Sequence, residues 1–345
     1  APFTLIYRVV MGIRNKLFEW KILPSEEFDI PILSVGNITV GGTGKTPHTE
    51  YLIKLLKDNH KVALLSRGYK RKTKGFQLAT TESSAKEIGD EPYQIKEKFG
   101  GIHVAVDADR RHGIHQLCEN ASTKDTEVIL LDDGFQHRHV EARINVVIVD
   151  STRPYYEDDF LPAGTLRDKV SSLDRAHYFI VTKCPADMQP IAQRMWRKEL
   201  HKIAYQKVYF TRVVPTKAVS LFQTPNVLNP GDQVIAMSGI GNPKAFVAGV
   251  RKLYDVKAKL NFSDHHVYSV SDIERIVGLL EKYPQAMLLT TEKDAVKLRR
   301  SRRVPDIMRE RLFYQPLKVE FLEGSDEDFL GTLKKDLEGK VHLDA

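Results

Sequence analysis

"SVGNITVGGTGKTPHTEYLIKLL", Ser34 to Leu56, passes from a short apolar stretch through a glycine-rich turn into an amphipathic segment. It departs from the phosphate-binding pattern G-x-x-x-x-G-K-[ST] at one place: counting back from Gly44-Lys45-Thr46, Thr39 stands where the first glycine belongs. The strand–turn–helix context is still the one a P-loop requires, because backbone N–H groups and a helix N-terminus then point at phosphate oxygens. Gly41, Gly42 and Gly44 let the backbone approach an anion closely. Lys45 can reach β- and γ-phosphates, and the Thr46 hydroxyl suits Mg²⁺. Pro47 falls in the first helical turn, where its missing N–H costs little. The expected nucleotide cradle is thus Thr39, Val40, Gly41, Gly42, Thr43, Gly44, Lys45 and Thr46, and Thr39 alters only its lead-in.

Outward from this loop, short β-branched runs alternate with helical patterns. Strands are expected at 30–35, 61–66, 102–106, 127–132, 144–149 and 177–182, several almost wholly apolar, as strands covered on both faces of a parallel sheet are. Helices are expected at 45–57, 91–99, 109–119 and 190–201. The pattern predicts an α/β, P-loop NTPase-type doubly wound, mostly parallel sheet over residues 25–205. Strand linkers at 206–222 and 311–321 lead to and from a smaller α/β domain at 223–310, and a C-terminal helical segment occupies 322–345.

Composition narrows the class. The 345 residues carry 52 Lys and Arg against 45 Asp and Glu, a net charge of +7 that suits an anionic partner. Two cysteines, Cys118 and Cys184, without metal-site spacing exclude a disulfide framework and point to a reducing compartment. No run approaches the roughly 18 apolar residues that span a bilayer, and no signal-peptide cleavage site follows the N-terminal segment. That segment, residues 1–24, places Phe3, Ile6, Tyr7, Val10, Ile13, Leu17 and Trp20 near one helical stripe, with Arg14, Lys16 and Lys21 around it. It fits a helix lying in a membrane interface as well as one packed on the core.

Further clusters carry chemistry. "EVILLDDGFQHRH" (127–139) sets Asp132 and Asp133 at the end of an apolar strand, where an aspartate positions Mg²⁺ in P-loop enzymes. "GDEPYQ" (89–94) puts Asp90 ahead of a helix, a position that simple capping also explains. "LPAGTLRD" (161–168) offers Arg167 as a charge clamp and Asp168 as a metal or water ligand, and "NFSDHHVYS" (261–269) places Asp264, His265 and His266 on a loop. "VTKCP" (181–185) faintly resembles a guanine-reading loop, but Pro185 stands where the base-reading aspartate belongs, favouring ATP over GTP. A GTPase-like switch and a soluble small-molecule kinase remain the competing readings. Nucleic-acid binding is disfavoured, since the basic runs lack interleaved stacking aromatics.

Taken together, "SVGNITVGGTGKTP", "LLSRGYKRKTKG", "GDEP", "LDDGFQHR", "LPAGTLRD", "FSDHHVYS" and "TTEKDAVKL" resemble the tetraacyldisaccharide 4′-kinases, the lipid A 4′-kinases of Gram-negative bacteria, in order from the N-terminal segment to about residue 300. The resemblance implies ATP- and Mg²⁺-dependent phosphorylation of the 4′-hydroxyl of a membrane-embedded lipid A disaccharide 1-phosphate. It implies Lys45 and Arg167 on the transferred charge, Asp90 as general base with His265 assisting, and Thr46, Asp132, Asp133 and Asp168 toward the metal. Arg67, Tyr69, Lys70, Arg71, His137 and Arg138 are the expected substrate contacts. A monomer is expected, peripheral or monotopic on the cytoplasmic face of the bacterial inner membrane, held by its N-terminal helix. The family commonly lacks the first P-loop glycine as well. Ser263, where proline is more usual, and Asp168, where glutamate is, depart from its pattern.

Overall fold

The computed structural model of the protein describes residues 2–339; Ala1 and residues 340–345, the end of the expected C-terminal segment, lie outside the described residues. Two compact units share the chain discontinuously: residues 1–213 with 319–345, and residues 214–318.

The first unit contains a nine-stranded sheet. Its strands are β1 (Ile32–Gly36), β2 (Val62–Ser66), β3 (Gln77–Leu78), β4 (His103–Val106), β5 (Val128–Asp132), β6 (Ile144–Asp150), β7 (Tyr178–Thr182) and β8 (Lys207–Pro215), with the late strand β14 (Leu317–Phe321) at one edge. The order is β14-β8-β7-β6-β1-β5-β2-β4-β3. The pairings β4/β2, β2/β5, β5/β1, β1/β6, β6/β7 and β7/β8 are parallel, and β3 joins β4 antiparallel. Each of the six apolar runs read from the sequence lands on one of these strands. β1, β2, β5 and β7 are buried along their whole length, which is why their sequences do not alternate.

Because β1 pairs with β5 on one side and β6 on the other, the loops after β1 and β5 open at the same sheet end. This is where a doubly wound sheet binds ligands. The unit's helices are α1 (Pro2–Glu19), α2 (Lys45–Leu56), α3 (Ala85–Ile88), α4 (Asp90–Lys98), α5 (Arg110–Glu119), α6 (Pro190–Leu200) and, after the second unit, α11 (Asp326–Glu338). One core packs Val147, Phe179 and Phe210 with Trp196 of α6; another packs Leu65 and Ile129 with Ile114 and Leu117 of α5.

The second unit is built on a five-stranded sheet ordered β11-β10-β12-β13-β9, from β9 (Val219–Ser220), β10 (Gln233–Ser238), β11 (Asp255–Asn261), β12 (Met287–Thr291) and β13 (Leu312–Gln315). The helices α7 (Pro243–Arg251), α8 (Val270–Lys282), α9 (Glu292–Arg299) and α10 (Asp306–Arg311) complete it. The expected linker at 311–321 divides here. Pro316, which has no N–H to give a ladder, separates β13, which pairs parallel with β12 inside this unit, from β14, which returns to the first sheet.

Candidate active site

The glycine-rich turn closes through backbone conformations that side chains disfavour, with Gly41 at φ +98° and Gly44, which caps α2, at φ +90°. Thr39 is explained by its partner. It forms an antiparallel bridge with Leu166, flanked by hydrogen bonds from Val40 N to Thr165 O (2.8 Å) and from Arg167 N to Ile38 O (2.9 Å). The lead-in to the loop is therefore extended strand, where a buried β-branched residue fits and glycine is not required. The same small ladder fixes Arg167 beside the loop.

Four side chains meet there. Arg167 grips Asp133 with both terminal guanidinium nitrogens, Nη1 donating to Oδ2 at 2.9 Å and Nη2 to Oδ1, and Nη2 also donates to Asn37 Oδ1. Lys45 Nζ lies 3.5 Å from Asp133 Oδ1 and 3.4 Å from Asn37 Oδ1. Asn37, fully buried, donates from Nδ2 to Thr43 Oγ1 (2.6 Å), and its carbonyl accepts from Gln136 Nε2 (2.7 Å). Sequence reading assigned no role to Asn37; its position, directly after β1 and before the glycine turn, was the available signal.

The two aspartates are driven apart electrostatically. Burial first, then the nearby charges of Glu91 and Asp133, pushes the Asp132 carboxyl well above the usual carboxylate range, although Ser66 Oγ donates to it at 3.2 Å. Desolvation also works to raise Asp133, but the Arg167 hydrogen bonds and the Lys45 charge outweigh it and hold that carboxyl below the usual range. The charge of Glu91 reaches Asp132, so the N-terminus of α4, which begins at Asp90, approaches the site. Gly89 makes that approach feasible. It holds φ +94°, ψ 156°, and a Cβ there would lie 3.1 Å from the Tyr69 carbonyl. Arg110 is a further cation that the sequence reading missed. It is buried, and its guanidinium feels Arg67, Asp133 and Asp132. Arg153, likewise unassigned, covers the glycine turn by donating to Val40 O at 3.0 Å.

The remaining expected residues divide into surface groups and anchors. Arg67, Tyr69 and Lys70 are exposed, the Lys70 ammonium resting 5.5 Å from the Tyr69 ring centroid. Arg71 instead closes its own loop, donating to Gly75 O (2.7 Å). Arg138 holds α1 through Asn15 O (3.0 Å) and stacks on Phe18. His137 is partly buried, and burial with the Arg110 charge lowers its pKa to about 4. Asp168, expected near the metal, is fully buried and turned toward α1, accepting from Asn15 Nδ2 at 2.8 Å. One carboxylate oxygen is taken by α1, the other faces Arg175 Nη2 at 3.6 Å, and no part of the residue is exposed, so we assign it no metal.

In the second unit His265 adopts φ +63°, a costly backbone for a residue with a Cβ. Asp264 accepts from Lys293 Nζ (2.9 Å), which also lies 3.5 Å from His265 Nε2. Asp264 is kept below the usual carboxylate range, desolvation being outweighed by Lys293. Lys293, within "TTEKDAVKL", is the second residue of α9. His266 pairs with Asp272 (2.9 Å) and stacks on Phe262, a structural use.

Behind the loop, His48 of α2 is fully buried; its Nδ1–H donates to Gly44 O (2.7 Å), and Nε2 accepts from Thr211 Oγ1 (2.9 Å). Burial lowers its pKa from 6.5 to about 4. A folded-state value below the unfolded one means that the stabilisation is complete above pH 6.5 and is lost as pH falls toward 4. The stability advantage of wild type over His48→Gln should therefore shrink by about 2 kcal/mol between pH 7 and pH 5 in chemical denaturation. A gap independent of pH would refute the assignment.

Comparison with known proteins follows the same lines. The family described as Tetraacyldisaccharide-1-P 4'-kinase matches residues 1–338. The tetraacyldisaccharide 4'-kinase of Phocaeicola vulgatus is 44% identical over 335 residues, covering 95% of this chain and 92% of that protein. That of Parabacteroides distasonis is 41% identical over 349 residues, covering 99% and 95%. Among solved structures, an "apo" form of LpxK from Aquifex aeolicus in complex with ATP superposes with a TM-score of 0.76 at 28% identity, covering 97% of this chain and 98% of that one.

Proposed function

The chain belongs to the tetraacyldisaccharide-1-P 4'-kinase family and is a phosphotransferase, and from that premise we propose that it transfers the γ-phosphoryl group of ATP to the 4′-hydroxyl of a tetraacyldisaccharide 1-phosphate, giving lipid IV-A. The observation that carries this reading is the convergence of Lys45 and Arg167 on Asp133 beside the P-loop. Phosphoryl transfer asks mainly for positioning and for charge neutralisation, and these two cations are positioned for it. When nucleotide enters, its phosphates compete with Asp133 for both.

The oxygen-rich donor set fits Mg²⁺. Asp132 is a buried carboxylate opposed by Glu91 and Asp133, and a divalent cation would relieve that repulsion. Asp132, Asp133 and Thr46 would hold the ion, which supplies neutralisation of the β- and γ-phosphate charge. Among the described residues no three His, Cys, Asp or Glu side chains form a ready cage. Mg²⁺ suits this, since it binds through one or two carboxylates plus phosphate and water.

Asp90 is the proposed base. As the first residue of α4 it sits where the helix dipole favours the ionised carboxylate, ready to accept the 4′-hydroxyl proton. His265 assists, with Lys293 and Asp264 fixing its ring. Arg67, Tyr69 and Lys70, exposed together, and His137 are the proposed contacts to the sugar and its phosphate. The test is ATP-dependent phosphorylation of a tetraacyldisaccharide 1-phosphate in detergent micelles. Nucleotide hydrolysis without any acceptor phosphorylation would overturn the reading in favour of a switch.

The proposed location is a membrane surface. No described helix is long and apolar enough to cross a bilayer. Helix α1 is, however, inverted: its buried residues are Thr4, Gly12, Asn15 and Phe18, while Phe3, Leu5, Ile6, Val9, Val10 and Ile13 are each at least 50% exposed. Exposed Arg8, Lys16 and Lys21 flank this stripe, matching acidic lipid headgroups. Replacing Ile6, Val10 and Ile13 with serine should abolish sedimentation with anionic vesicles while ATP binding persists, because none of the three faces the core. Undiminished sedimentation would return α1 to a purely structural part.

A further inference from the structure

Helix α1 is bonded to the segment that carries Arg167. Tyr7 OH donates to the Arg167 carbonyl (3.0 Å), and Asn15 Nδ2 donates to Asp168 Oδ1 (2.8 Å) and to Ser172 Oγ (3.3 Å). Asp168 is 0% exposed and Asn15 4%, so both ends of the central bond lie out of water. A buried carboxylate is retained only where its partners hold it closely. From Asp168 the connection runs to Arg167, whose backbone pairs with Ile38 in the lead-in to the P-loop and whose side chain grips Asp133. Asn15 Oδ1, Asp168 Oδ2 and Arg175 Nη2 make no hydrogen bond among the described residues, and Arg175 Nη2 is 3.6 Å from Asp168 Oδ2. A shift of under about 1 Å would bring that pair into hydrogen-bonding range.

We propose that Asn15 and Asp168 are positioning residues, a latch through which seated α1 holds Arg167 on the transferred charge. The bilayer face of α1 and the phosphate site are then two ends of one bonded unit. The dependence of the latch on the bilayer rests on the interfacial reading of α1 given above; its effect on Arg167 does not.

The test compares wild type with Asn15→Leu, with the exchange Asn15→Asp/Asp168→Asn, and with Tyr7→Phe. Each is assayed for kcat, KM for ATP, vesicle sedimentation and unfolding midpoint. Asn15→Leu keeps the side chain's size and removes a hydrogen bond to a buried charge, so kcat should fall about tenfold or more. KM for ATP and vesicle binding should stay near wild type, since neither the P-loop nor the outward face is touched. The exchange restores a donor–acceptor pair in the opposite sense and should recover most of kcat, which a packing role alone would not require. Tyr7→Phe deletes one oxygen from a half-buried ring and should cost about two- to tenfold in kcat. It decides the matter if Asn15→Leu does not fold. Folded variants with kcat within about twofold of wild type, or an exchange as impaired as Asn15→Leu, would overturn the proposal. A wild type that phosphorylates its acceptor but ignores vesicles would sink only the interfacial reading.

Discussion

Lys45→Ala should reduce phosphoryl transfer by about 10³-fold, the scale of losing a pre-placed charge at a water-poor reaction centre. In the structure Lys45 and Arg167 share one carboxylate, Asp133, and this is how each is held before nucleotide arrives. Removing Lys45 takes away one of the two cations paired with Asp133 and deprives the β- and γ-phosphates of the cation contributed by the loop itself. The fold should survive, because Lys45 is only partly buried. Thr39→Gly is the control. The Thr39–Leu166 bridge is made by backbone, so glycine keeps the hydrogen bonds and loses only a buried side chain. It should stay close to wild type in kcat. Steady-state assays on both variants decide: equal damage from the two would mean that the register of the phosphate loop has been misassigned.

Asp90→Ala should lower kcat by about 10²- to 10⁴-fold, the usual contribution of a general base, and leave KM for ATP near wild type. The separation follows from placement: nucleotide affinity comes from the loop after β1, whereas Asp90 opens α4 behind Gly89. His265→Ala should reduce kcat less. Its ring is braced by Lys293 on a strained backbone, an outlay the fold sustains only where the surroundings enforce it. If the two residues act as one unit, the double variant will cost much less than the product of the single losses. Multiplicative losses would show independent action. A near-normal kcat in Asp90→Ala would leave Asp90 only as an acidic residue of the first turn of α4.

The parts of the fold that could be read from the sequence were those where burial is uniform. "VILLD" and "VALLS" are apolar throughout because both faces of their strands are covered. β11, "DVKAKLN", is not legible in the same way, because it is an edge strand whose alternating residues face water. The P-loop, the Asp132–Asp133 pair and Arg167 carry local signatures. Asn37 offers only its place between β1 and the glycine turn, since its amide becomes a hub when residues as distant in sequence as Gln136 and Arg167 are brought to it. Asp168 shows the same limit from the other side. Its position suggested a metal, but its partner Asn15 lies 153 residues away, and nothing in "LPAGTLRD" announces it. For α1 the sequence displayed the apolar stripe without saying which way it faces; exposure of Phe3, Ile6 and Val10 supplies the direction.

The discontinuity of the first unit has a consequence for biosynthesis. Its sheet receives β14 only after the whole of residues 214–318 has been made, and α11 follows later still. Phe329 of α11 is fully buried against Tyr178 and Tyr209, so on the ribosome this aromatic seam stays open and the edge of β8 unpaired while the second unit, continuous in sequence, is already complete. A nascent chain stopped before residue 319 therefore presents a bare strand edge beside exposed tyrosine rings, which is the surface that chaperones capture and that seeds aggregation.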